Sequence, residues 1–234
     1  THGGNLKMSN KKFIESIPVG PLAIVALPGS KALGDKVDAY ISGWRSERLE
    51  AKESPITFKG YVKDSYLLNV SVPRFGTGEA KCALKDTVRG CDLYIIDDVT
   101  NHSIEYTVCG QKNHMSPDDH YADIKRVIAA ASGKARKITV IMPFLYESRQ
   151  HRRSSRESMD CAVMLQELVN MGVDNIITFD AHDPRVNNAI PISGFESVMP
   201  TYQFIKNLLR NVPDIKLDSD HLMMISPDEG AMGR

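Results

Sequence analysis

An α/β fold, a mainly parallel sheet flanked by helices, is what this sequence predicts, and two observations carry the prediction. Short β-branched runs alternate with longer segments of helical period along the chain, the pattern of strands joined by covering helices. Four polar clusters, Asp97-Asp98, Glu147–Arg156, Asp180–Asp183 and Asp228–Gly230, each follow directly on an apolar run. In an open parallel sheet ligands bind outside the carboxyl ends of the strands, so clusters in that position are placed to converge.

Taken in order, Leu22–Leu27 reads as the first strand and Pro28-Gly29-Ser30 as the turn into a helix over about Lys31–Leu49, with Leu33, Val37, Tyr40, Ile41 and Trp44 on its apolar face. Tyr66–Val72 alternates as a strand does and breaks at Pro73, while Leu93–Ile96 is a short buried run. Ser116-Pro117-Asp118-Asp119 has the form of a helix start, with a capping hydroxyl, proline at the first helical position and carboxylates in the first turn. The helix it opens runs to about Ala131 and turns Tyr121, Ile124, Val127 and Ile128 inward. Strand Lys137–Phe144 and helix Ser158–Asn170 follow, the helix burying Cys161, Met164, Leu165 and Leu168 and stopping at Gly172. Asn175–Phe179 is a strand, Thr201–Leu209 a helix and Leu222–Ile225 a last strand.

Length and composition bound the rest. The chain has 234 residues, 42% hydrophobic and 25% charged, with 29 basic against 29 acidic side chains, so there is no diffuse attraction for nucleic acid or anionic lipid and any polyanion site must be local. Cys82, Cys91, Cys109 and Cys161 have no CxxC spacing, and no apolar stretch or signal-peptide pattern points to a membrane or to export. A reduced cytoplasmic protein is the expectation. The domain organisation expected is a tail over residues 1–20, a domain over 21–200 and the start of a second, truncated domain over 201–234, because Ser226–Arg234 opens a turn with no helix after it to cover the last strand.

Three segments bear chemistry. Arg149, Arg152, Arg153 and Arg156 with Gln150 offer donor forks suited to phosphate oxygens, with no carboxylate between Arg149 and Arg156 to neutralise them; read alone, the same loop suits a solvated surface. In Asp180-Ala-His182-Asp183, alternate residues of an extended segment project together, so Asp180 and His182 can share one cation; a strand-end loop with a capping Asp and an exposed His fits equally well. In Arg74-Phe-Gly-Thr-Gly-Glu79 the glycines permit positive φ or close backbone approach, and Phe75 offers a face for a base, although a plain turn needs no ligand. There is no GxGxxG opening a helix and no GxxxxGK[ST], so the ordinary dinucleotide and P-loop readings fail. Cys161 is expected in a core, and His114 and His120 are expected as solvated or capping groups beside a helix start.

In their order, these segments resemble ribose-phosphate pyrophosphokinase, the phosphoribosyl pyrophosphate synthetase family: Arg74-Phe75-x-x-Gly78-Glu79, Val88-Arg89-Gly90-x-Asp92, Arg149-Gln150, Asp180-x-His182, then Ser226-Pro227-Asp228-x-Gly230 with Arg234. The resemblance runs from about Leu22 to Arg234. It implies a type I phosphoribosyltransferase-like fold, with Phe75, Thr77, Gly78, Glu79, Arg149 and Gln150 at ATP, and His182 and Asp228, assisted by Asp180, at Mg²⁺. It also implies transfer of the diphosphoryl group of ATP to the C1 hydroxyl of ribose 5-phosphate, with Arg149 and His182 as the catalytic side chains, and a homo-oligomer, dimer or hexamer, in which adjacent subunits complete one another's ATP sites.

The departures bear on this. Thr77 and His151 stand where the family usually has Asp, Asp183 replaces a small residue, and Ala231 replaces a glycine. The segments Glu47–Ser65 and Asn101–Asp119 differ from the common pattern. Two alternatives are a non-catalytic regulatory subunit that binds nucleotide or phosphate, and another phosphoribosyl-handling enzyme on the same fold. The chain alone, without a ribose 5-phosphate site, is expected to be inactive.

Overall fold

The computed structural model describes residues 18–51, 60–212, 214–226 and 228–229. Thr1–Asn10 of the expected tail, and Pro227, Gly230, Ala231 and Arg234 of the terminal motif, lie outside them. The chain divides into two compact units, 1–197 and 198–234.

In the first unit, strand β1 (Leu22–Ala26) leads through a 3₁₀ turn at Pro28–Ser30 into helix α1 (Lys31–Glu50). Two short strands, β2 (Val70–Ser71) and β3 (Ala83–Leu84), pair antiparallel, and β4 (Asp92–Ile96) returns to the main sheet. A hairpin of β5 (Glu105–Val108) and β6 (Gln111–His114) precedes helix α2 (Pro117–Ala131). Then come β7 (Lys137–Met142), α3 (Asp160–Asn170), β8 (Asn175–Phe179), a 3₁₀ turn at Pro184–Ala189 and β9 (Gly194–Val198). The main sheet has the order β1-β4-β7-β8-β9, with β1, β4, β7 and β8 parallel, so the α/β expectation holds.

Alternation along the strands sorts the side chains to two faces. Ala23, Val25, Leu93, Ile95, Val140 and Ile176 pack with Ile124, Val127 and Ile128 of α2 and Met164, Leu165 and Leu168 of α3 in one buried cluster. Ile24 and Ile96, with Tyr94 and Ile141 at their side, meet Val37 and Ile41 of α1 on the other. Each fully buried aliphatic of this kind contributes roughly 1.5–3 kcal/mol. Helix α2 begins with a full capping box, Ser116 Oγ accepting from Asp119 N and the Asp119 carboxylate from Ser116 N, as the sequence predicts.

Several expectations are corrected. On α1 the buried residues are Gly34 and Asp38, with Val37 and Ile41 beside them, whereas Leu33, Tyr40 and Trp44 are exposed. The cause is a close approach: a Cβ on Gly34 would lie 2.3 Å from Ala26 Cβ, and Asp38 accepts the Tyr66 N–H at 2.6 Å. The inward face is thereby shifted to the Gly34–Asp38 side of the apolar stripe, keeping Val37 and Ile41 and leaving out Leu33, Tyr40 and Trp44. Tyr66–Val72 forms only a bridge at Leu67 to Ile24 and the two residues of β2. His120 is neither solvated nor a cap but buried inside α2. The expected strand Leu222–Ile225 makes no ladder among the described residues; Met223, Met224 and Ile225 are exposed, and a strand without a paired edge has no partner for its N–H and C=O groups. The hairpin β5–β6 and strand β9 have no counterpart in the sequence-based reading.

The second unit holds α4 (Thr201–Asn211), whose residues are all exposed. All four cysteines are thiols, and Cys161 is buried in α3 as expected. No helix among the described residues is long and apolar enough to cross a membrane.

Candidate functional site at the carboxyl edge of the sheet

Strands β7 and β8 are neighbours in parallel register, Val140 opposite Ile176 and Met142 opposite Thr178, so the segments that leave their carboxyl ends leave side by side. The basic loop follows β7. Its course is set by Glu147 in the left-handed region (φ 54°) and by Gln150, whose amide donates to the carbonyls of Ser158 (2.8 Å) and Arg152 (3.2 Å). The Gln150 amide therefore holds its own loop closed. Arg149 is exposed, its guanidinium 6.0 Å from the centre of the Phe144 ring, and Arg152, Arg153 and Arg156 are exposed beyond it.

After β8 the chain turns sharply at Asp180 (φ 44°), and Ala181 N donates to Ser197 Oγ of β9 at 2.9 Å. Ala181 and Asp183 are buried, while Asp180 is half-buried and His182 exposed, so the two candidate ligands alternate with two inward residues. The His182 ring lies 5.1 Å from that of His151, and His151 Nε2 is 3.5 Å from Asp183 Oδ2. Arg185 grips the same carboxylate through Nε and Nη2 (3.0 and 2.6 Å), and these hydrogen bonds hold the Asp183 carboxyl well below the usual carboxylate range. The two departures at 151 and 183 thus face each other and join the basic loop to the Asp180–His182 segment. Among the described residues no three His, Cys, Asp or Glu side chains are grouped to hold a metal ion.

The Phe75 turn caps the short ribbon β2–β3. Phe75 N donates to Glu79 O (2.7 Å), Gly78 N to Phe75 O (2.9 Å) and Thr77 Oγ1 to Glu79 Oε2 (3.0 Å), which leaves the Phe75 ring 49% exposed. Gly78 has φ +91°, so one of the two glycines is required by conformation. The anchor of the turn is Arg74, which donates to Asp123 of α2 at 2.7 Å with side chains 9% and 3% exposed; Arg126 binds the other oxygen of Asp123 at 2.6 Å. Burial pushes the Asp123 carboxyl up, against the pull of both arginines.

Helix α2 joins the turn to the basic loop. Besides Arg74 at Asp123, Tyr146 of the β7 loop donates to Asp118 at 2.5 Å and stacks on Tyr121, ring centres 4.5 Å apart. Asp97, expected among the converging polar groups, instead points inward: it is 1% exposed and its Oδ2 meets His120 Nδ1 at 3.0 Å, while His120 Nε2 meets the Asn101 carbonyl at 2.9 Å. Asp98 closes its own turn by accepting from Thr100. Both ring nitrogens of His120 face acceptors, so the pair works best holding two protons. Burial pushes Asp97 up; it also opposes a charge on His120, but the hydrogen bond and charge of Asp97 outweigh it and leave the imidazole raised. Sequence reading missed His120 and Asp123, yet a signal exists: His120 falls in register with Ile124, Val127 and Ala131 on the apolar face of the helix. Asp228 belongs to the second unit, where Ser226 Oγ donates to its backbone carbonyl at 2.5 Å.

Comparison with known proteins bears on this edge. Residues 22–172 match the family model described as the N-terminal domain of ribose phosphate pyrophosphokinase. Among curated relatives, the ribose-phosphate pyrophosphokinase of Staphylococcus saprophyticus is 25% identical over 171 residues, 70% of this chain and 46% of its own length. That of Haemophilus ducreyi is 28% identical over 168 residues, 71% of this chain and 47% of its own. The chain therefore spans about half the length of the relatives it matches. Among solved structures, phosphoribosylpyrophosphate synthetase from Mycobacterium smegmatis superposes with a TM-score of 0.59 at 17% identity, covering 82% of this chain and 53% of that one. The fold is that of this synthetase, with the mainly parallel sheet and flanking helices described above.

Proposed function

Since the chain belongs to the ribose-phosphate pyrophosphokinase N-terminal domain family, we propose that it carries the ATP clamp and the Mg²⁺ corner of a ribose-phosphate diphosphokinase. The reaction is transfer of the β,γ-diphosphoryl group of ATP to the C1 hydroxyl of ribose 5-phosphate, giving phosphoribosyl pyrophosphate and AMP. One observation supports this above the others: the basic loop and the Asp180–His182 segment leave neighbouring parallel strands at one edge and meet through His151 and His182.

The exposed Phe75 ring is the stacking face for adenine, with the Thr77 hydroxyl and Glu79 carboxylate at its edge. Arg149 binds the polyphosphate. Asp180 and His182, which alternate with the inward Ala181 and Asp183 after the turn at Asp180, offer two anchor points for Mg²⁺, which keeps waters in its remaining positions and prefers oxygen. Bound there, the ion would neutralise phosphate charge. Transfer of this kind rests on positioning and charge neutralisation rather than on a covalent nucleophile. The partners proposed are ATP, ribose 5-phosphate and further copies of the chain as dimers or hexamers, in the cytoplasm.

The test is AMP formation from ATP by the complete protein, with and without ribose 5-phosphate. Ribose 5-phosphate should be required, and Arg149→Ala should cut turnover by at least about tenfold. AMP released regardless of ribose 5-phosphate would sink the reading. A second reading, a non-catalytic regulatory subunit, is favoured by one feature: the Thr77 hydroxyl and the Gln150 amide are both spent on their own loops. It requires nucleotide or phosphate binding with no AMP at all.

A further inference from the structure

The hairpin β5–β6 carries no candidate ligand, and a two-stranded ribbon is at best marginally stable by itself. Its turn is Cys109-Gly110, with φ 49° and 80°, the positive pair of a tight hairpin turn. What it leans on is the Phe75 turn. Cys109 N donates to Gly76 O at 2.9 Å. Tyr106 and Val108, two apart and therefore on one face of β5, are half-buried, whereas Glu105 and Thr107 on the other face are exposed. A Cβ on Gly78 would lie 3.1 Å from Val108 Cγ2 and 3.8 Å from Tyr106 Cε2, so the hairpin packs closely on that glycine, whose φ already disfavours a side chain. The Tyr106 ring also takes the Arg74 guanidinium 5.0 Å from its centre and donates its hydroxyl to Asp119 Oδ2 at 3.1 Å. Gly76 and Gly78 are thus held from outside by the hairpin, while Arg74 is held from inside by Asp123.

We infer that hairpin β5–β6 is a positioning element for the Phe75–Glu79 turn, and that Tyr106, Val108 and Cys109 set nucleotide affinity without touching the nucleotide. The inference rests on the nucleotide reading of that turn given above. The physical reason is pre-organisation: a glycine-rich turn ordered before binding spends less of the binding energy on being ordered. The contacts lie within one chain, so the turn keeps its shape before any partner arrives. Tyr106 is the residue through which the hairpin, the Arg74 anchor and the cap of α2 meet.

The experiment uses the whole chain with Tyr106→Ala, Tyr106→Phe, and residues 105–114 replaced by a short Gly-Ser link. Hydrogen exchange of the Phe75 and Gly78 amides is read first, then the Kd of a non-hydrolysable ATP analogue by calorimetry, beside that of inorganic phosphate. Tyr106→Ala and the deletion should speed exchange at both amides and weaken the analogue by about tenfold or more. Phosphate should bind as before, and Tyr106→Phe, which keeps the ring, should behave as wild type. Turn amides that stay protected without the hairpin, or an analogue Kd that does not move, would overturn the inference. Faster exchange at the turn, with an analogue that even the wild type does not bind, would overturn the assigned effect on affinity and the nucleotide reading with it, leaving only the ordering contact.

Discussion

The Phe75 turn and the Asp180–Asp183 loop are both short segments at the candidate site, and they are held in opposite ways. The turn is fixed by a buried ion pair, Arg74–Asp123, and by a hairpin packed on its glycines. The β8 loop is fixed by Asp183 with Arg185, whose side chain is 77% exposed, and by His151 at 3.5 Å. Breaking a pair buried on both sides leaves a charge without compensation, whereas a pair whose cation is exposed is partly screened and that cation trades readily for water. The difference teaches that the segment proposed to stack a flat base is rigid by construction, while the segment proposed to hold an ion keeps room to adjust its distances.

The largest effect expected is from Arg74→Ala. It strands Asp123 with Arg126 as its remaining cation and takes the anchor from the turn, so urea unfolding should show a loss of about 3 kcal/mol, the lower end for a broken buried pair. A loss below about 1 kcal/mol, the size of an exposed pair, would erase the contrast drawn between the two segments.

A smaller effect comes from the pair behind the turn. The folded-state pKa of His120 is raised, so its contribution is complete below the ordinary histidine value of about 6.5 and is lost as pH rises through the raised value; the raised Asp97 acts with the same sign. Asp98 and Asp123 are the other charged groups whose fields reach this pair. Thermal midpoints should therefore fall with pH above about 6.5 in the wild type and remain flatter in His120→Gln. Equal slopes would mean that the pair does not hold its protons in the folded state.

The smallest effect belongs to Arg185→Ala. Its loss of stability at neutral pH should be smaller than that of Arg74→Ala, while an NMR titration of Asp183 should show the carboxyl moving up toward the ordinary value of about 3.9. A loss as large as that of Arg74→Ala would place the loop in the same mechanical class as the turn.

Much of the frame is legible in the sequence because it depends on local periodicity. Strand Asn175–Phe179, the capped start of α2 and the inward face of α3 follow from alternation, from Ser116-Pro117 and from apolar residues at helical spacing. The adjacency of the basic loop and the Asp180–Asp183 loop is legible too, since consecutive strands of a parallel sheet tend to be neighbours. Helix α1 defeats the same reasoning because Gly34 has almost no hydrophobic signal, yet its missing side chain lets the backbone reach Ala26 and so decides which face is buried. The hairpin escapes because Cys109-Gly110 is not among the familiar turn pairs and its strands alternate weakly. Asp97 is misplaced because a carboxylate at a strand end looks the same in sequence whether it faces solvent or a buried imidazole.

By itself the sequence determines that this is an α/β chain, which runs form the parallel strands β1, β4, β7 and β8 and the helices α1 to α4, and the order of the arginine loop, the Asp-x-His segment and the Arg-Phe turn, because these depend on near neighbours and on side-chain type. The tertiary structure alone decides that His151 meets Asp183, that Arg74 and Tyr106 bind α2, and that the hairpin braces Gly76 and Gly78. These pairs are separated by 13 to 49 residues and meet only after the chain has closed on itself, so no local pattern records them.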